Sequence, residues 1–269
     1  MYHGGPKIME KKNKIYYART YRRIKIDVKF SLLFTILMIV PTVAFLITCM
    51  DDITGVLSHM GADILSNILG KDDIHVVNTQ YSIINNISFI DIPTSYPTFS
   101  KICLNLVFCM CALLVMEILK FSGKPLAIFL MYSILIHTVN CVYFVFGGDY
   151  FPYSIGQYSE LYIKQQIGIW ITFSVLAGFV LGFMGEKAYL QKALTFTGIM
   201  LYSIIFGCIR YILYIFILYK FSVLYMAFLF FVIGPMFDFS YFVAIYAIFV
   251  NKSIKDYGFG KKKGEWEWS

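Results

Sequence analysis

The sequence predicts an all-α integral membrane protein of about six transmembrane helices, with both termini in the cytoplasm and a small extracytoplasmic cap. Three observations predict it. The 269 residues are 59% apolar and only 14% charged, with a mean hydropathy of +0.69, whereas soluble chains run about 45–50% apolar and about a quarter charged. The apolar residues gather into stretches of about 20, the length that crosses a bilayer. The basic residues between those stretches fall almost entirely on one side. The same composition excludes a disordered chain, a disulfide-stapled secreted module and a nucleic-acid-binding domain, each of which needs more polarity or a clustered basic surface.

Residues 1–29 form a basic cytoplasmic segment with nine Lys/Arg, among them Lys11, Lys12, Lys14, Arg19, Arg22, Arg23 and Lys25. Its charge orients the first span, and it also suits anionic lipid headgroups or a cytoplasmic partner. The first span, 30–50, begins too late and runs too long for a cleaved signal and is expected to stay in the mature protein. Residues 51–101 lie outside: an amphipathic stretch from Ile53 to Leu69 suited to the outer leaflet, a β-prone segment around Ile84–Ile92, and turns at Pro93 and Pro97. A five-helix core, 102–250, follows, with spans at about 102–119, 126–147, 166–185, 193–218 and 222–250. The loop from Gly147 to about Lys164 is aromatic and polar and is expected to roof any outward-facing site, with Tyr158 as a ligand-binding candidate. Ser174, Gly178 and Gly182 recur every four residues, as do Ser203 and Gly207, which predicts that spans four and five are neighbours. The last stretch contains Gly234-Pro235, which loses a helix donor and invites a kink, or a re-entrant piece followed by a helix. A basic tail, 251–269, ends the chain with Trp266 and Trp268, suited to interfacial anchoring or partner docking.

Placing the N-terminus inside puts 18 Lys/Arg on the cytoplasmic side and four, Lys71, Lys101, Lys164 and Lys220, on the other. The positive-inside rule then gives an N-in, C-in protein of the plasma membrane of a bacterium. Eight acids, Asp51, Asp52, Asp63, Asp72, Asp73, Asp91, Asp149 and Glu160, fall outside and make that face acidic.

Chemistry is sparse. The six cysteines, Cys49, Cys103, Cys109, Cys111, Cys141 and Cys208, form no CxxC and no metal-ligand spacing, and read as small apolar residues. No HExxH, GxSxG or phosphate-binding loop occurs, and neither a metal nor a cofactor is expected. Ionisable residues inside spans mark sites by default, because a charge in lipid is costly. These are Arg210, Asp238 and His137, with Glu117 near the inner end of span two. Arg210 stands about eight residues from the outer end of span five, roughly 12 Å deep, and needs a polar cavity or a partner. Asp238 is a candidate counter-ion, although counting along span six sets it nearer the inner leaflet unless Gly234-Pro235 breaks the helix; such a pair is either a structural lock between spans five and six or part of a site. His137 and Cys141 share a helix face and offer a weak thiol–imidazole pair, with an inert buried Cys and a satisfied His as the plainer reading.

Spans four to six resemble the core of the exosortase/archaeosortase family, multi-pass membrane enzymes similar in role to sortases. In that family a Cys-Ser-Gly-Ile-like motif opens one helix at the outer face, an Asn-x-x-Arg motif follows some forty residues on, and a His-x-x-x-Gly comes about twenty later. Here Gln166-Ile167-Gly168-Ile169, Gly207-Cys208-Ile209-Arg210 and Phe230-Phe231-Val232-Ile233-Gly234 stand at these positions, with spacings of 44 and 20 residues from Gln166 to Arg210 to Phe230. Arg210, Gly168, Ile169 and Gly234 match, while Gln166 replaces the nucleophile and Phe230 the base. The likeness covers about residues 150–250.

The resemblance implies a helical membrane fold with an outward-opening site, beside envelope polysaccharide machinery. Neither an amide nor a phenyl ring forms a thioester, so cysteine transpeptidation at that position is lost. Arg210 is then left as an anion-binding group, with Gln166, Asp238 and Tyr158 around it. The reading that follows is a non-catalytic accessory in cell-surface polysaccharide or protein assembly and export. Its partners are the lipid bilayer and other envelope-assembly membrane proteins or a glycosyltransferase. The alternatives are a substrate-binding membrane subunit of a small-solute transporter, and an active exosortase-like cysteine protease or transpeptidase using Cys141 and His137 with Arg210 as oxyanion partner.

Overall fold

The computed structural model describes residues 22–24, 28–70, 73–82, 85–118, 125–183, 189–258 and 266–268. The basic run at 11–21, Lys120, Lys124, Lys187 and the tail lysines Lys261–Lys263 lie outside the described residues. Six helices are long and apolar enough to cross a membrane: Val28–Thr48, Phe99–Ile118, Leu126–Tyr150, Ile155–Gly182, Tyr189–Lys220 and Val223–Lys252.

In chain order, a short strand β1 (Arg22–Ile24) precedes α1 (Val28–Thr48), which passes almost directly into α2 (Met50–Leu69). Gly70 closes α2 in the left-handed conformation at φ 62°, which costs glycine little. A hairpin of β2 (His75–Gln80) and β3 (Asn86–Asp91) follows, antiparallel, with Val77 opposite Phe89. Then come α3 (Phe99–Ile118), α4 (Pro125–Gly147), α5 (Ile155–Gly182) and α6 (Tyr189–Lys220). The last span is helical throughout: a 3-10 turn (Val223–Tyr225), one α turn (Met226–Phe228), a π turn (Leu229–Ile233) and α7 (Gly234–Gly258). The wide π turn absorbs the donor lost at Pro235, so the chain runs on as one helix and not as a re-entrant piece plus a helix. Strand β4 (Trp266–Trp268) pairs antiparallel with β1 and joins the two terminal segments.

The antiparallel pair α5 and α6 is the spine. α1 packs along α5, α2 against β3 and α6, and α7 on α6; the α3–α4 hairpin joins through the contact of α4 with the start of the last span. Asn140 Nδ2 donates to the Leu224 carbonyl at that junction. The outward faces remain apolar and exposed, as at Leu33 and Leu37 on α1, Phe108 and Ile118 on α3, and Val139 on α4. Such continuous apolar surface is consistent with helices that face lipid.

Two expectations change. The polar stretch 147–164 is not one loop, because α5 already starts at Ile155. Ser154 accepts from the Gln157 amide and the Gln157 side chain accepts from the Ser154 N–H, a capping box that satisfies two orphan donors. Tyr158 therefore sits in the first turns of a helix. Ser154→Ala should lower thermal unfolding stability by about 1 kcal/mol, and an unchanged midpoint in detergent micelles would show that this end of α5 is held by packing alone.

The second concerns the small residues. α5 and α6 do pack, but Gly178 and Gly182 face α1: a Cβ at Gly178 would stand 2.4 Å from Ile39 Cγ1, and one at Gly182 would stand 1.9 Å from Thr35 Oγ1. The amphipathic helix α2 spends its inner face, Leu57, Ser58, Gly61 and Leu65, on protein. Ser58 Oγ donates to the Ser88 carbonyl at 2.8 Å, which ties α2 to β3.

Candidate functional site

Three elements meet at Arg210. α5 presents Tyr158, Tyr162 and Gln166, spaced four apart and therefore on one face; α6 contributes Gly207, Arg210 and Tyr214; the last span supplies the Gly234 carbonyl and Asp238. Gly207 is small because Gln166 lies on it: a Cβ there would be 2.8 Å from Gln166 Nε2.

The guanidinium is 3% exposed and almost fully engaged. Its Nε–H donates to the Tyr162 hydroxyl at 2.8 Å, and Nη2 to Gln166 Oε1 at 2.8 Å. Nη1 reaches the Gly234 carbonyl at 3.0 Å and Asp238 Oδ1 at 2.9 Å. The charge also lies over the rings of Tyr162 and Tyr214, at 5.6 and 5.9 Å from their centroids. A cation removed from water in this way needs its opposite charge and all its donors matched, and the fork of an Arg can match a carboxylate, an amide, a phenol and a carbonyl together. Asp238, also 3% exposed, gives one oxygen to the pair.

Around this pair several polar atoms are buried without a partner among the described residues: Tyr158 Oη, Tyr214 Oη, Gln166 Nε2 and Asp238 Oδ2, with Trp170 Nε1 one turn along from Gln166. An unmatched buried polar group costs about 1–3 kcal/mol, so a cluster of them marks a place where water or a polar ligand belongs. A second layer links the site to the hairpin. Tyr162 stacks on Tyr211 at 5.4 Å, and the Tyr211 hydroxyl, hydrogen-bonded to Ser159 at 2.5 Å, accepts the Ile90 amide of β3 at 2.8 Å.

Two of the three positions singled out by motif spacing meet, since Gln166 bonds Arg210 directly, while the third, Phe230, packs edge-on against Tyr158 at 6.1 Å, two turns along α5 from Gln166. His137 and Cys141 belong elsewhere. His137 Nε2 meets Asn105 Oδ1 at 3.3 Å and its ring stacks on Tyr225 at 5.1 Å, while Cys141 is fully buried. Among the described residues no hydrogen bond joins His137 to Cys141, and no partner is shared between His137 and Arg210. α4 packs on α3 and on the first turns of the last span, and His137 takes its contacts from those two elements. Among the described residues no cluster of three or more His, Cys, Asp or Glu can hold a metal ion.

Tyr162, Tyr214 and the Gly234 carbonyl are the parts that sequence reasoning missed. The spacing of Tyr158, Tyr162 and Gln166, and of Arg210 and Tyr214, was the available signal, diluted among 21 tyrosines. Comparison with models of known families, with characterised proteins and with solved structures finds no match to this chain.

Proposed function

We propose that the protein is a non-catalytic accessory in the assembly or export of cell-surface polysaccharide or protein. It is a multi-pass protein of the plasma membrane with an exosortase-like core and the Arg210 site as its recognition centre. The observation that carries this reading is the bond between Gln166 and Arg210, 44 residues apart in sequence, with an amide where a thiol nucleophile would stand and with Phe230, 20 residues further on, packed on Tyr158 of the same helix as Gln166. Gln166 holds the guanidinium and has no means of forming a covalent intermediate. The site therefore binds and does not cleave. An acidic outer face, N-in and C-in termini and a cap of α2 and the β-hairpin next to the site complete the reading, which rests on the charge asymmetry and the positive-inside rule.

The experiment is deletion in the organism that carries the chain, followed by quantitation of surface polysaccharide and surface-anchored protein. Loss of one of them, restored by the intact chain and equally by Cys141→Ala, is the expected result. An unchanged surface contradicts the role, and failure of Cys141→Ala alone would point to a cysteine enzyme. Orientation is checked separately: a cysteine at Asp149→Cys should react with a membrane-impermeant maleimide on intact cells, and one at Lys252→Cys only after permeabilisation. The reverse pattern would invert the protein.

A further inference from the structure

A cleft of about 480 Å³ opens where α3 begins and α4 ends, and it shares no lining residue with the Arg210 site. Three pieces of chain build it. The link 92–98 from β3 to α3 brings Tyr96, the first turn of α3 brings Phe99, and the end of α4 brings Phe144 and Phe146. A 3-10 turn, Gly148–Tyr150, then adds Asp149, and Phe151 follows directly.

The pieces are fixed to one another. Thr94 Oγ1 accepts the Ile155 amide at 3.1 Å and the Ser95 carbonyl accepts the Val223 amide at 3.0 Å, which ties the link to α5 and to the last span. The Phe151 amide donates to the Gly148 carbonyl at 3.2 Å, and the Phe151 ring packs on Phe144 at 4.8 Å. Phe144 is buried and serves as floor. The other rings stand open: Tyr96 is 55%, Phe99 68% and Phe146 84% exposed.

Asp149 lines the same cleft and is exposed. Among the described residues no cation pairs with its carboxylate, and no Lys, Arg or His lines the cleft. The Tyr96 hydroxyl is the one side-chain donor among the described lining residues. A ring face and a carboxylate are both negative in potential, so a cleft made of them repels an anion and holds a cation. A sugar is a poorer match, because its hydroxyls need several donors as well as acceptors. The ends of two spanning helices place the cleft at headgroup level. An interfacial belt of aromatic anchors accounts for the rings and not for a carboxylate set among them.

We propose that this cleft holds the ammonium headgroup of a zwitterionic phospholipid, with Tyr96, Phe99 and Phe146 around the cation and Asp149 as its counter-charge. The lipid chains then lie along the exposed apolar faces of α3 and α4, which begin at the rim of the cleft.

The test uses the purified full chain in detergent micelles with dioleoyl phosphatidylcholine and dioleoyl phosphatidylglycerol, which share their chains and phosphate and differ in the ammonium. Adducts are counted by native mass spectrometry at equal lipid. The choline lipid is expected to be retained about ten-fold better, the value of one well-placed cation–π contact. Tetramethylammonium chloride should displace it, and sodium chloride at the same concentration should not. Phe146→Ala, which leaves the charge in place, should lower the preference, and Asp149→Lys should reverse it; both positions are exposed, so the thermal midpoint should hold. Equal retention of the two lipids by the unmodified chain overturns the proposal, as does a preference that survives both variants. Binding of tetramethylammonium with no preference for the choline lipid would assign the cleft to a free amine and overturn the lipid assignment.

Discussion

Asp238→Leu should cost the folded protein about 3–5 kcal/mol, the largest single-residue effect expected in the chain. The substitution removes the one carboxylate that, among the described residues, is bonded to Arg210 and leaves a guanidinium that is 3% exposed and fixed from three further sides by Tyr162, Gln166 and Gly234. The cation cannot reach water without unpacking α5 from α6. Arg210→Met should be costly in the same sense, stranding Asp238 with neither oxygen well paired. The double variant Arg210→Met with Asp238→Leu should recover most of the loss, because exchange of a buried ion pair for apolar side chains of similar volume is commonly neutral or stabilising. Unfolding in mixed micelles measures all three. Additive losses in the double variant would mean that the two residues do not act as a pair.

The second large effect is steric. Gly178→Leu should separate α1 from α5, since a Cβ at that position already falls 2.4 Å from Ile39 Cγ1 and 2.9 Å from Ile39 Cδ1. The neighbour is the base of a β-branched side chain on a helix, so relief requires backbone movement. Gly182 repeats the constraint one turn on against Thr35, whose hydroxyl is held by the Ser31 carbonyl at 2.8 Å. Overpacking of this kind costs about 1–3 kcal/mol per site. Disulfide trapping between Thr35→Cys and Gly182→Cys, whose Cβ atoms would stand about 3.1 Å apart, measured with Gly178 kept and with Gly178→Leu, would register the separation; undiminished cross-linking in the Leu variant would place α1 elsewhere. Gly198, whose Cβ meets nothing within 4 Å, is the control position where Leu should be harmless.

These two predictions rest on features of unequal legibility. Arg210 and Asp238 stand out because a charge inside an apolar run is expensive, and that physics is readable without coordinates. Gln166 emerged from spacing alone. The tyrosines did not: Tyr162 and Tyr214 act through hydroxyls whose aim depends on how α5 and α6 are rotated, and Gly234 acts through a backbone carbonyl that any residue carries. Gly178 and Gly182 announced close helix contact but not its partner, since a small-residue row says how near another helix can come and not which one. The stretch 147–164 was misjudged because polar residues hid the Ser154 and Gln157 cap, which outweighs local polarity in starting a helix.

The central claim is that the Arg210 site recognises a ligand and is not only a clamp between α6 and the last span. Its most direct test is complementation of the deletion strain with the Arg210→Met and Asp238→Leu double variant, at matched amounts of folded protein in the membrane. A folded, membrane-inserted double variant that fails to restore the surface polymer or protein is the predicted result. Full restoration would contradict the account and reduce the buried pair to a structural bond.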